Sequence, residues 1–175
     1  MEKIDNELCP FCGEKKMTLI EDEQDIPYFG KTFIMSMNCA GCGYKVSDVE
    51  AAEQKEPSRY EFTVKSTKDL SVRIVKSSEG SIKIPQLKMS VDPGVGSEGF
   101  VSNIEGILQR FKKILEAERD AADDEDVRKK AKNLLKKLWK VECGDEELKV
   151  IIEDPSGNSA IISDKAVITS LKKKK

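Results

Sequence analysis

Four of the five cysteines in this 175-residue chain stand in two Cys-x-x-Cys pairs, Cys9-Pro10-Phe11-Cys12 and Cys39-Ala40-Gly41-Cys42, with 26 residues between them. A tight turn can bring both thiolates of such a pair to one side, and two pairs supply the four corners of a tetrahedral metal site. Each pair is followed by glycine, Gly13 and Gly43. Glycine accepts the positive φ of a knuckle turn, in which backbone N–H groups point back at the sulfurs. A site closed by four sulfurs suits a structural Zn²⁺ ion, because zinc takes four thiolates and a closed site leaves no position open for a substrate. A rubredoxin-like iron centre would use the same residues. A thioredoxin-type redox pair would need one Cys-x-x-Cys and leave the other unexplained. Disulfides in a secreted protein would fit poorly with the odd fifth cysteine, Cys143, and with an N-terminus that does not read as a secretory leader.

Hairpins must hold these pairs in place. Between them, residues 17–20 and 32–37 read as short strands joined by an acidic stretch with Pro27 and Gly30 near the turn. After Cys42 the segment 44–50 reads as extended, and the polar run 53–58 marks a module boundary. The expected division is a zinc-ribbon finger over residues 1–56, a β domain over 57–170, and a basic tail at 171–175, where Lys172 to Lys175 read as a solvated end.

Residues 60–91 alternate apolar and polar side chains in four runs: Tyr60, Phe62 and Val64; Leu70, Val72 and Ile74; Ile82 and Ile84; Leu87, Met89 and Val91. A period of two predicts strands with one wet face, stacked as an antiparallel sheet, sandwich or coil. The period then changes. Ser102-x-x-Glu105 reads as a capping box, and Ile104, Ile107, Leu108, Phe111 and Leu115 fall on one helical face. A second helix is expected to start around Asp123 to Asp126, with Val127, Ala131, Leu134, Leu135 and Leu138 on its stripe. Leu148, Val150 and Ile152 resume the strand pattern, Asp154-Pro155-Ser156-Gly157-Asn158 is a dense turn signal, and residues 160–162 return. The expectation is thus a mainly β fold with a helical hairpin inserted at about 102–141.

Composition narrows the chemistry. The net charge is −2, but residues 1–60 carry 12 acids against 7 Lys and Arg, while the remainder carries 20 against 23. An acidic finger is a poor phosphate binder, which argues against nucleic acid. The chain has no histidine, so His-dependent triads and His-ligated catalytic metals are ruled out. No apolar run has the length of a membrane span, and a cytoplasmic, non-enzymatic protein is expected. Gly94-x-Gly96-x-x-Gly99 has the letters of a dinucleotide fingerprint, but Pro93 precedes it and the expected helix begins only after Gly99, so a flexible connector is the better reading. Cys143 lies among acids that disfavour a thiolate, and an unreactive thiol is expected.

Taken in order, Cys9-Pro10-Phe11-Cys12-Gly13, the run from Phe33 to Tyr44, Arg73-Ile74-Val75-Lys76-Ser77, Ile84-Pro85-Gln86-Leu87, Ile104-Glu105-Gly106-Ile107-Leu108 and Asp154-Pro155-Ser156-Gly157-Asn158-Ser159 resemble the ZPR zinc-finger family. The chain is similar to its single-module, archaeal-type members, whereas eukaryotic members carry the module twice. The resemblance implies a four-cysteine finger with Cys9, Cys12, Cys39 and Cys42 on one Zn²⁺, followed by a double-stranded β-helix domain carrying the helical hairpin. It also implies protein binding, with translation elongation factor 1A as partner and assistance in its folding as the role. Asp154, Gly157 and Asn158 first serve their turn and are candidate partner contacts. The alternatives are a zinc-ribbon nucleic-acid or ribosome-associated binder and a redox or electron-transfer protein. Sequence leaves the oligomeric state open.

Overall fold

The computed structural model describes residues 1–26, 29–53, 55–94 and 96–171. Pro27 and Lys172 to Lys175, both invoked above, lie outside the described residues. The chain opens with an antiparallel ribbon of four strands in sequential order: β1 (Glu2–Leu8), β2 (Lys15–Ile26), β3 (Gly30–Cys39) and β4 (Lys45–Ala51). The long central strands are a correction to the short ones expected. The acidic stretch, Glu21, Asp22, Glu23 and Asp25, does not form the joining loop; it belongs to β2 and pairs with β3, Glu21 opposite Met35 and Glu23 opposite Phe33. Glu21, Glu23 and Asp25 alternate onto one face and are exposed to water, while Asp22, on the face that carries Ile26, is half-buried and paired with the N-terminal amine at 3.4 Å.

Two antiparallel sheets form the second unit. One has the order β12-β5-β10-β7-β8, with β5 at Ser58–Val64, β7 at Ser81–Ile84, β8 at Met89–Val91, β10 at Leu148–Asp154 and β12 at Val167–Ser170. The other has the order β11-β6-β9, with β6 at Arg73–Lys76, β9 at Phe100–Asn103 and β11 at Ala160–Ile162. Helices α1 (Ile104–Ala121) and α2 (Glu125–Cys143) form the hairpin between β9 and β10. The main core joins Phe62, Ile74, Ile84 and Ile152 from the strands to Ile107, Phe111 and Leu138 from the helices. No helix among the described residues is long and apolar enough to cross a membrane.

Three local expectations shift. Leu70 and Leu87 do not lie in strands but in short 3-10 turns, Thr67–Ser71 and Pro85–Leu87. The cap of α1 is Asn103 rather than Ser102: Ser102 continues β9, and the Asn103 side chain accepts a hydrogen bond from the Gly106 amide at 2.8 Å. The strand register holds Ser102 opposite Ile74 and Asn103 opposite Arg73, which delays helix entry by one residue.

Asp69 explains the first of these turns. The residue is 4% exposed, and its carboxylate accepts hydrogen bonds from the amides of Lys65 and Ser66, both at 3.0 Å, and from Lys165 Nζ at 2.9 Å. Burial alone would raise its pKa. The Lys65 amide, Lys165 and Ser66 outweigh burial and hold it at about 2, against an ordinary 3.8. A folded-state value below the unfolded one contributes stability that is present above pH 3.8 and lost as pH falls through about 2. Asp69→Ala should therefore cost about 2 kcal/mol at neutral pH. In urea unfolding across pH, its gap from the parent protein should close over that acid window; a gap that persists unchanged below it would show that the carboxylate charge contributes nothing.

Candidate metal centre and the joint beside it

Cys9 and Cys12 lie on the turn between β1 and β2, and Cys39 and Cys42 at the end of β3 and in the turn that follows. All four Sγ atoms lie within 4.8 Å of one another; Cys9 and Cys42 are 3.8 Å apart, Cys12 and Cys39 3.7 Å. Sulfurs at zinc-bond length on a regular tetrahedron are separated by about 3.8 Å, so the donor set fits that ion. The same distances are far beyond the S–S bond of about 2 Å, and the cysteines are unpaired with one another. The two knuckles repeat each other: Gly13 and Gly43 both have φ 73°, and their amides donate to the carbonyls of Cys9 and Cys39 at 2.9 and 3.0 Å. A side chain at either position would be strained.

The electrostatics of the four sulfurs also favour a cation. Around Cys39, the Cys42 amide and then the Gly41 amide, the latter 3.4 Å from the sulfur, bring the thiol down to about 7. At Cys12 the Glu14 amide pulls the same way, but desolvation and the neighbouring cysteines win and push the thiol up to about 12. The sulfurs resist ionising together until a positive charge sits among them. Cys9 and Cys39 are buried while Cys12 and Cys42 are exposed, and Phe11 stacks on Tyr44 at 5.7 Å beside them. Met17 completes the small core under the site. Cys143 stands apart, exposed at the end of α2.

The second group of sequence-selected residues falls at the joint between ribbon and β domain. Asp154 is fully buried; one carboxylate oxygen accepts from Ser77 Oγ at 2.7 Å and from Ser159 Oγ, and the other from the amide and hydroxyl of Ser156 at 2.7 and 2.6 Å. Asn158 reaches across, its Oδ1 accepting from the Ala51 amide of β4 at 3.1 Å. Gly157 has φ 75°, and a Cβ there would meet Glu56 O at 2.5 Å. All three residues are thus engaged within the chain.

Two more loops grip β4. Asp48 accepts from the Ser78 amide at 2.8 Å and from the Ser78 hydroxyl. Gly99 donates to Ser47 O at 2.8 Å, and its own carbonyl accepts from Ser47 Oγ at 3.1 Å. Gly99, the last glycine of the motif, is pinned to the ribbon beside β9; β8 pairs antiparallel with β7, which is not the setting of a dinucleotide fold. Beneath lies Lys76, 2% exposed, with Nζ donating to Ser77 O at 2.9 Å. Burial lowers its pKa, against the opposing pull of Asp154 and Asp48. The sequence marks residues 77–80 as a turn, but neither its pairing with Asp48 nor the burial of Lys76 is assigned from it. The one available signal was a lysine directly following Ile74 and Val75, both fully buried here.

Comparison with known proteins bears on both halves. Residues 4–57 match the family model described as the ZPR1 zinc-finger domain, and residues 68–174 the ZPR1 jelly-roll domain. A ZPR1-like protein of Methanocaldococcus jannaschii is 41% identical over 165 residues, covering 94% of this chain and 83% of that protein. A ZPR1-like protein of Pyrococcus horikoshii is also 41% identical, over 169 residues, covering 94% of this chain and 76% of that protein. The zinc finger chaperone of Schizosaccharomyces pombe is 30% identical over 158 residues, which are 88% of this chain but 34% of that longer protein. With a four-cysteine ribbon joined to a jelly roll and both domains matched in order, the chain belongs to the ZPR1 zinc-finger family.

Proposed function

We propose that this chain is a non-enzymatic, cytoplasmic protein-binding module that holds one structural Zn²⁺ on Cys9, Cys12, Cys39 and Cys42, binds translation elongation factor 1A and assists its folding. The observation that carries the reading is the ribbon's attachment: its four sulfurs converge on one point and its β4 is fastened to the jelly roll by three loops. A closed, rigid clip presents a surface rather than a reaction centre. The S. pombe relative's name, a zinc finger chaperone, supports the folding role, and the family resemblance supplies the client. Calorimetry with the cognate elongation factor 1A, in GDP and GTP forms, tests this. A saturable complex with at least one form is expected; heat of dilution alone with both would sink the client assignment.

One observation favours a second reading. Trp139 is 57% exposed on α2 among the exposed lysines Lys132, Lys136 and Lys140, an aromatic and cationic strip of the kind that meets nucleic acid. That reading requires RNA affinity that falls steeply with salt and is lost in Trp139→Ala.

A further inference from the structure

The ribbon has two unlike faces. On one, Ile26, Val49 and Ala51 pack with Val75 and Ala160 of the jelly roll. On the other, the register sets Ile4 opposite Leu19 and Leu19 opposite Met37, a row of apolar side chains crossing three strands, with Met35 next along β3 on the same face. Ile4 is 53% and Met37 37% exposed, Leu19 and Met35 are half-buried, and together they line a shallow depression of about 170 Å³. Among the described residues, the members of this row belong neither to the jelly-roll core nor to the cluster that joins the two units.

The rim is of one sign. Glu2 stands opposite Glu21, Glu21 opposite Met35, and Glu50 opposite Phe33. Of the cations on this face, Lys31 is already held by Glu23 at 2.8 Å and Lys15 lies at the zinc end beyond Met17. An apolar strip rimmed by acids discriminates among occupants. A second copy docking the same face would set Glu21 against Glu21 or its neighbours, and nucleic acid or an anionic bilayer would meet the same repulsion. A polypeptide segment alternating apolar side chains with Lys or Arg meets both features at once. Methionines suit such a surface because their unbranched thioethers repack around different partners.

The geometry points to the Ile4, Leu19, Met35 and Met37 face of the ribbon as a docking surface for a lysine- or arginine-bearing apolar segment of a partner protein. This rests on the protein-binding reading above but not on the identity of the client. The probe is a labelled 12-residue peptide alternating Lys and Leu, with a Glu-for-Lys twin as control, titrated into the full chain by fluorescence anisotropy. The Lys peptide should bind and the Glu twin should not. Met37→Glu should weaken binding at least about tenfold although it adds an acid, because it removes an apolar contact. Glu21→Lys should also weaken it, whereas Glu118→Lys on α1, away from this face, should not. Ile4→Glu, on the outer strand, serves as a second apolar variant should Met37→Glu lose zinc. The proposal is overturned if the face variants bind the peptide as the parent does, if Glu118→Lys acts as strongly as Glu21→Lys, or if sedimentation shows a dimer that Met37→Glu dissociates. Loss of elongation factor 1A binding in the parent protein, with the peptide pattern intact, would remove the client and leave the face standing.

Discussion

Cys39→Ser is expected to unfold the ribbon while the jelly roll survives. The ribbon's own core beneath the sulfurs is confined to Cys9, Met17 and Cys39, with Leu19 and Tyr44 packed beside them. With Ile26, Val49 and Ala51 packed on the jelly roll instead, that is too little apolar surface to hold the metal end of the ribbon against its conformational entropy, so an ion on the four sulfurs would have to supply the difference. Structural zinc in finger peptides contributes about 10–16 kcal/mol at neutral pH, and most of that stabilisation goes with a buried ligand. The jelly roll and its helices have a separate core from Phe62 to Ile161. Limited proteolysis should therefore release the first 50 or so residues of the variant, leaving a resistant fragment that starts near Ser58, where β5 begins. A chelator should produce the same fragment from the parent protein, and zinc should reverse it. Cys143→Ser, which alters an exposed thiol outside the cluster, should behave like the parent. A Cys39→Ser protein that stays protease-resistant throughout, with full zinc content, would contradict this account.

Which features could be read in advance follows from how far apart in the chain their causes lie. The convergence of the four sulfurs and the course of α1 and α2 rest on local patterns, a turn of fixed spacing and a period of 3.6, and both are plain in the sequence. The acids of β2 misled because a strand with one wet face accepts charge wherever a partner strand covers its backbone, and the partner was not visible locally. Leu70 kept the alternating pattern, yet Asp69 offered Lys65 and Ser66 a nearby acceptor and turned the chain instead. The joint was least legible. Ala51 and Asn158 are 107 residues apart and Asp48 and Ser78 are 30 apart, and no periodicity encodes such pairs. The Asp-Pro-Ser-Gly-Asn-Ser run advertised a turn, and the turn exists, but its polar side chains also close the seam between two modules.

That seam carries the second large effect. Asp154→Ala should cost about 3–5 kcal/mol, because it strands the Ser77 and Ser159 hydroxyls and the Ser156 amide in a buried place and leaves Lys76 without one of its opposing charges. The pH dependence separates these two contributions. A lysine whose folded-state pKa is lowered binds fewer protons in the native state than in the unfolded one, between its folded value and the ordinary 10.5, so stability rises with pH across that window. Removing Asp154 removes an influence that raises the Lys76 value, which widens the window downward. The deficit of Asp154→Ala should therefore be larger at pH 7 than at pH 10 in urea unfolding, and adding Lys76→Met should recover part of it at pH 7, since an apolar side chain of similar length suits the buried site. A deficit that is identical at both pH values and unrelieved by Lys76→Met would mean that Asp154 acts through its turn hydrogen bonds alone. The ribbon would then be held by Asn158, Asp48 and Gly99 without any electrostatic contribution from beneath.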